Sequence, residues 1–464
     1  MKEAFELLLQ ANFQKYLEIL NDLIRIPSVS FENFDRKNVE HSALFLKNLL
    51  EKEGFENAQL LTPPGGHSSV FAEIPGKTDV PVILLYAHHD VQPPLRKELW
   101  KSPPFEPEIR NGRLYGRGSA DDKAGIVLHL AAARLVKEAL GERTPHLKIL
   151  IEGEEEIGSP GLEFLLKEHA VLLKNDAVIV ADLSNFAKGV PALTASLRGM
   201  TAAEVKVSAL EAPLHSGSWS GPIPDPVQAL CRMIASLTDD EGKIIVKNFS
   251  DTVAVPTNEE KEKYAALRIK EKTFRKDSGL LDGVAFTVPE NLLPETLWRA
   301  PSVTVTAMET PGGFENVGNV LQNTARARIS IRLAPGMDSK TAVNALTEHL
   351  KSVCPFHLHL SVTAETGAEA VIIDTSHPYF RKMFQALETG YGTEAKIIGC
   401  GATIPGVILF QKAFGEIPVL LLGVEDPECN AHGENESLYL EDFKKSILSE
   451  ALFFHSVMEI NSFS

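Results

Sequence analysis

The sequence predicts an α/β protein: one domain built on a mixed, largely parallel sheet, interrupted by an inserted α+β domain. Three observations carry this reading. Continuous apolar runs of strand length recur early in the chain, at Val82–Ala87 (VILLYA), Leu147–Ile151 and Ala177–Ala181, separated by helical periodicity. Strands covered on both faces read this way. From about residue 196 the texture changes to strict alternation, in TAAEVKVS (Thr201–Ser208) and ARARISIRL (Ala325–Leu333), as in a sheet with one wet face. After about residue 360 the buried-strand style returns, ending in the run Val419–Leu422. The expected division is 1–195 with 356–464 in one domain and 196–355 in the other.

The elements follow in order. Phe5, Leu8, Leu9, Phe13, Leu17, Leu20 and Ile24 recur at helical spacing, so residues 1–25 read as an amphipathic helix stopped at Ile26-Pro27, because the residue before proline disfavours the α region. A second helix fits 38–53 and stops at Gly54. Ser69–Ile74, closed by Pro75-Gly76, reads as a strand. The glycine-punctuated loop Gly112–Gly118 leads into a helix over 122–140, and 160–169 reads as another. In the inserted part, 225–237 and 338–353 look helical, Val303–Ala307 alternates, and 240–300 is a polar stretch rich in lysine and glutamate. Helices near 376–389 and 440–458 complete the chain.

Composition narrows the function. With 464 residues, 44% apolar and 23% charged, the chain has the balance of a folded globular protein,. Its formal charge of −16 argues against nucleic-acid or anionic-membrane partners, which require clustered Lys and Arg. No run approaches the ~18 apolar residues of a membrane span. The opening segment lacks the basic start and continuous apolar core of a signal peptide. Cys231, Cys354, Cys400 and Cys429 contain no C-x-x-C pair, so a reduced, cytoplasmic setting is expected.

Each early buried strand runs into a polar cluster. VILLYA meets His88, His89 and Asp90; LKILI meets Glu152, then Glu154, Glu155 and Glu156; AVIVA meets Asp182. Ligands of open α/β sheets bind beyond the carboxyl ends of the strands, so these groups are expected around one crevice. Taken singly, the glutamates read as a solvated acidic loop and Asp121-Asp122 as the charged start of a helix. Taken together at one sheet edge, they would repel one another unless divalent cations lay between them. Mixed His and carboxylate donors suit Zn²⁺, Mn²⁺ or Co²⁺ better than Ca²⁺.

The segments YAHHDVQP (86–93), LYGRGSADDK (114–123), EGEEEIGS (152–159), LHSGSWSG (214–221), ISIRLAPGM (329–337) and AHGENE (431–436) resemble, in order, the motif series of the di-zinc aminoacylase/carboxypeptidase-G superfamily. Their wording, with WRAPSVTV (298–305), is most similar to the carnosinase and cytosolic non-specific dipeptidase branch. The resemblance implies a di-zinc exopeptidase-type catalytic domain carrying a lid and dimerisation domain. It implies two divalent ions per subunit, zinc first and manganese or cobalt as alternatives. His88, Asp121, Glu156, Asp182 and His432 match the metal ligands, with Asp121 bridging and the bond after it cis. Asp90 matches the residue orienting His88, and Glu155 the general base; His89 and Glu154 fall on variable positions without an assigned role. In the lid, His215 matches the oxyanion donor and Arg332 the residue gripping the substrate's terminal carboxylate. Asn319, Gly401 and Thr403 are further substrate-binding candidates, although Cys400-Gly401-Ala402-Thr403 departs from the usual G-G-S/T. The implied activity is hydrolysis of dipeptides or short peptides next to a free C-terminal carboxylate, by a metal-bridged hydroxide, in a homodimer joined through the lid. An N-acyl-amino-acid deacylase is the alternative.

Overall fold

Four strands with almost wholly buried side chains lie side by side and parallel: His146–Glu152, Val82–His88, Ala177–Val180 and Val419–Leu421. In the computed structural model, which describes every residue except 312, 314–317, 366, 416 and 460–464, these strands form the centre of a mixed sheet. Ser69–Ile74 and then Glu56–Leu61 extend it antiparallel on one side, and Ala192–Leu197 is antiparallel to Val419–Leu421 on the other. The four-strand parallel run therefore occupies the middle, where both faces are covered and an unbroken apolar run is required,. Lys2–Ile24, Lys123–Leu140 and Leu440–Val457 pack together against the sheet's core, and Lys123–Leu140 buries its residues from Lys123 to Ala133 without a break.

The chain divides into two compact units. The first holds Met1–Ala195, Ile373–Ile398 and Ile404–Ser464; the second holds Ser196–Ile372 and Gly399–Thr403. The second unit is built on a four-stranded antiparallel sheet in the order Ser302–Glu309, Thr324–Leu333, Gly199–Ser208, His359–Ala364. Ala203, Val205, Val207, Ile329, Ile331 and Leu333 turn one face onto Leu230, Met233, Leu346 and Leu350 of helices Pro226–Ala235 and Ser339–Val353.

The expected return to the first domain at residue 356 is corrected by this sheet. His359–Ala364 is hydrogen-bonded to Gly199–Ser208, so the second unit runs on to Ile372 before the chain crosses back. The polar stretch 240–300 contains the helices Asn258–Ala266, Glu271–Ser278 and Leu293–Arg299. Glu56–Leu61 had no strand signal because its side chains are nearly all exposed: an edge strand without a buried face lacks the apolar alternation that reveals one.

Candidate metal centre and active site

The parallel register brings the strand ends level. His88 pairs with Glu152, and Tyr86 with both Leu150 and Val180, so the loops that follow open at one edge of the sheet. Asp90, fully buried, is the hub of that edge. Its carboxylate accepts from Glu155 N at 3.2 Å, Glu156 N at 3.1 Å and Ser30 Oγ at 2.7 Å, and lies 3.4 Å from His88 Nδ1. The ring of His88 is thereby fixed with Nε2 forward, buried and without a hydrogen bond.

That nitrogen lies 3.1 Å from Asp121 Oδ1 and 3.6 Å from Asp182 Oδ1. On the other side, His432 Nε2 lies 2.9 Å from Asp121 Oδ2 and 3.4 Å from Glu156 Oε2. His88, Asp121 and Asp182 form one cluster able to hold a metal ion, and Asp121, Glu156 and His432 form another. Asp121 gives one oxygen to each. Orphaned His88 Nε2, surrounded by acid oxygens rather than hydrogen-bond partners, fits a pair of divalent cations better than it fits a hydrogen-bonded network.

Electrostatics give the same picture. Burial raises the Glu155 carboxyl well above its ordinary value, and Asp182, Asp90 and Asp121 add to this against His88. Burial and then Asp121 do the same to Glu156, and against His88 they raise Asp182 as well. For His88 burial pulls downward, but Asp182, Asp121 and Asp90 outweigh it and hold the imidazole well above its usual range. Asp121 is desolvated as well, yet its two histidine partners hold it well below the carboxylate range. Too many negative charges share too little water, and added positive charge relieves this. Glu155 differs from its neighbour: Glu156 accepts from Gln92 N at 2.9 Å and Gln92 Nε2 at 2.6 Å, whereas the Glu155 carboxylate makes no hydrogen bond among the described residues.

The loops are cross-braced. Buried Arg117 donates to Glu436 at 2.6 Å and to the carbonyls of His432 and Gly433 at 3.1 and 3.0 Å. Glu436 in turn accepts from Gly118, Ala120 and Asp121 backbone N–H groups. This ties the Asp121 loop to the His432 loop and holds His432 in its left-handed conformation (φ 62°). Lys123, fully buried, donates to Leu23 O at 2.9 Å and Ile26 O at 2.7 Å, and burial lowers its pKa to about 7. The Asp121-Asp122 bond is cis.

His89 and Glu154 serve the scaffold. His89 Nε2 pairs with Ser68 O at 2.9 Å, and burial lowers its pKa to about 4. Glu154 accepts from His67 N and Gly161 N. A Cβ on Gly161 would come within 2.4 Å of the Glu154 carboxylate, so glycine is required there.

The other candidates belong to the second unit, in two groups. His215 and Asn319, both exposed, lie at a short two-stranded antiparallel ladder formed by segments far apart in the chain; His215 pairs with Val320 across it, and Ser216 N donates to Asn319 O at 2.9 Å. Arg332, Gly401 and Thr403 meet around Arg198. Arg332 Nη1 lies 3.3 Å from Thr403 Oγ1; that hydroxyl donates to Arg198 O at 2.6 Å, and Arg198 Nε donates to Gly401 O at 3.2 Å. Burial and the Arg332 charge bring Arg198 down to about 10. Sequence reasoning missed Arg198, Ser30, Gln92, Arg117 and Glu436. Gln92, Arg117 and Glu436 stand inside the motif segments already quoted, which was the available signal.

The profile of peptidase family M20/M25/M40 matches residues 84–454. The chain belongs to this family. A cysteinylglycine-S-conjugate dipeptidase of Corynebacterium striatum is 33% identical over 378 residues, 81% of each chain. A Beta-Ala-His dipeptidase of Rattus norvegicus is 27% identical over 414 residues, 88% of this chain and 82% of its own. Among solved structures, an M20 family metallo-carboxypeptidase from Sulfolobus solfataricus superposes with a TM-score of 0.85 at 26% identity, over 96% of this chain and 99% of that one. Membership makes the chain a peptidase enzyme of a metal-dependent family.

Proposed function

We propose that this chain hydrolyses dipeptides at the amide bond next to a free C-terminal carboxylate. The carrying observation is the pair of donor clusters that share Asp121, with an unpartnered Glu155 carboxylate beside them; the dipeptidase relatives support the substrate class. His88, Asp121 and Asp182 are assigned to one metal ion, and Asp121, Glu156 and His432 to the other. Their mixed imidazole and carboxylate set favours zinc, then manganese or cobalt. Two such cations supply a polarised carbonyl and a water made nucleophilic at neutral pH.

The protein residues do the rest. Glu155 takes the proton of the attacking water and returns it to the leaving amine; its carboxylate, free of hydrogen bonds among the described residues, is open to both steps. Asp90 keeps His88 aimed and, through the Glu155 and Glu156 amides, fixes the base relative to its neighbour. In the second unit Arg332 is assigned to the substrate's carboxylate, since a planar guanidinium can grip both oxygens, with Thr403 and Gly401 setting its position. His215 is assigned to the oxyanion and Asn319 to the substrate carbonyl. A cytoplasmic homodimer joined through the second unit completes the reading. Its support is the edge strand Ser302–Glu309, whose exposed side chains include Val305 and Met308, a strand edge of the kind that pairs with another chain.

The deciding experiment assays the chain with Zn²⁺, Mn²⁺ or Co²⁺ on dipeptides, their C-terminal amides, and N-acetyl and N-succinyl amino acids. Free dipeptides are expected to be cleaved fastest. Faster turnover of the N-acyl amino acids would replace this reading with that of a deacylase.

A further inference from the structure

We propose that Glu425 reads the free ammonium group of the substrate and so selects dipeptides over N-acyl amino acids. The inference rests on the dipeptidase reading above and names the group that enforces it.

Three of the four central parallel strands deliver candidate site residues to the sheet edge: His88 from one, Glu155 and Glu156 from the next, Asp182 from the third. The fourth, Val419–Leu421, runs in register with Ala177–Val180 (Leu421 opposite Val180), and Glu425 stands four residues past its end. A parallel bridge pairs Glu425 with Ser184, two residues beyond Asp182, and Asn185 N donates to Glu425 O at 2.9 Å. Glu425 is thus anchored on the loop next to a metal-ligand candidate, on the same edge.

Its side chain has one hydrogen bond, from Ser184 Oγ to Oε2 at 2.7 Å, and no ion pair among the described residues. It belongs to neither donor cluster. A half-buried carboxylate crowded by Asp121, Asp182 and Glu436, with no cation in direct contact and only His432 nearby, is an unfavourable arrangement unless a cation arrives,. Both metal clusters are complete without it. A dipeptide brings one further cation: its α-ammonium, two bonds from the scissile carbonyl carbon, with three N–H donors. An N-acyl amino acid has no charge at that point. Ser184 fixes one oxygen of Glu425 and leaves the other to accept from the ammonium.

The test compares Ala-Ala with N-propionyl-alanine, which has the same outline but no ammonium. Wild type is expected to prefer Ala-Ala. In Glu425→Gln the ratio of the two kcat/KM values should fall by about 10- to 150-fold, the worth of a hydrogen bond to a charged group, while the metal content stays at the wild-type value. Ser184→Ala should lower the same ratio by less. An unchanged ratio in Glu425→Gln overturns the assignment, and so does loss of a metal equivalent, which would make Glu425 a ligand. Wild type taking N-propionyl-alanine as readily as Ala-Ala would instead remove the dipeptidase reading beneath it.

Discussion

His88 and His215 both sit where a strand of the chain ends, yet they are built in opposite ways. His88 is fully buried, its Nδ1 held 3.0 Å from the Asp90 carbonyl and 3.4 Å from the Asp90 carboxylate, with only Nε2 left to act. His215 is exposed, and its ring has one long contact, 3.4 Å from Ser218 Oγ. A metal ligand has to be aimed before the ion arrives, because coordination tolerates little error and a second layer of hydrogen bonds supplies the aim. A side chain that meets a passing substrate can wait in water. The same contrast separates the two units: the acids of the first are desolvated and braced by Asp90, Arg117 and Glu436, whereas the candidates of the second stand at a short two-stranded ladder or around a pair of arginines.

The contrast is sharpened first at Glu155. Replacing it by Gln keeps the shape and removes the proton acceptor, so turnover should fall by about 10²–10⁴-fold, as for loss of a general base, with metal content unchanged. Near-wild-type turnover would remove Glu155 from the chemistry.

Arg332 probes the second unit. Arg332→Ala should lower kcat/KM on dipeptides by about 10- to 150-fold and abolish most of the preference for a dipeptide over its C-terminal amide. The pair of substrates on wild type and variant forms a double-mutant cycle. If the variant keeps the full preference, the carboxylate is read elsewhere.

The smallest effect concerns metal-free stability. Glu155, Glu156 and Asp182 bind protons more tightly in the folded, metal-free chain than an unfolded chain does, and His88 and His432 share that sign. The folded state then carries more protons, so its stability falls as pH rises from the ordinary carboxylate range through the raised values. Asp121, held low, acts oppositely and only in acid. His89 and Lys123, also held low, act oppositely nearer neutral pH. They belong to neither donor cluster, so their contribution is the same before and after the chelator. The loss of Tm on adding a chelator should therefore grow, by a few °C, between about pH 5.5 and about pH 8. A loss that is constant over this range would mean that the acids are not strained by one another.

The central strands were legible because burial on both faces leaves an uninterrupted apolar run, and the polar residue that breaks each run marks the sheet edge. The alternation of Thr201–Ser208 and Ala325–Leu333 was legible for the opposite reason, one wet face. The braces were not. Ser30 reaches Asp90 across 60 residues and Arg117 reaches Glu436 across 319, and no local periodicity records such pairings. Glu425 was hidden differently: it lies past a strand of only three residues, in a segment with several acids, and only the register against Ala177–Val180 brings it to the edge. His359–Ala364, with its exposed and half-exposed side chains, offered too little burial pattern to show which sheet it joins.

The central claim is that Asp121 serves two cations at once, and metal stoichiometry of wild type and Asp121→Asn tests it most directly. The account predicts two tightly bound equivalents in wild type, loss of both in Asp121→Asn because each cluster loses its shared oxygen and charge, and loss of one in His432→Ala. Asp121→Asn retaining two equivalents with wild-type affinity would contradict it.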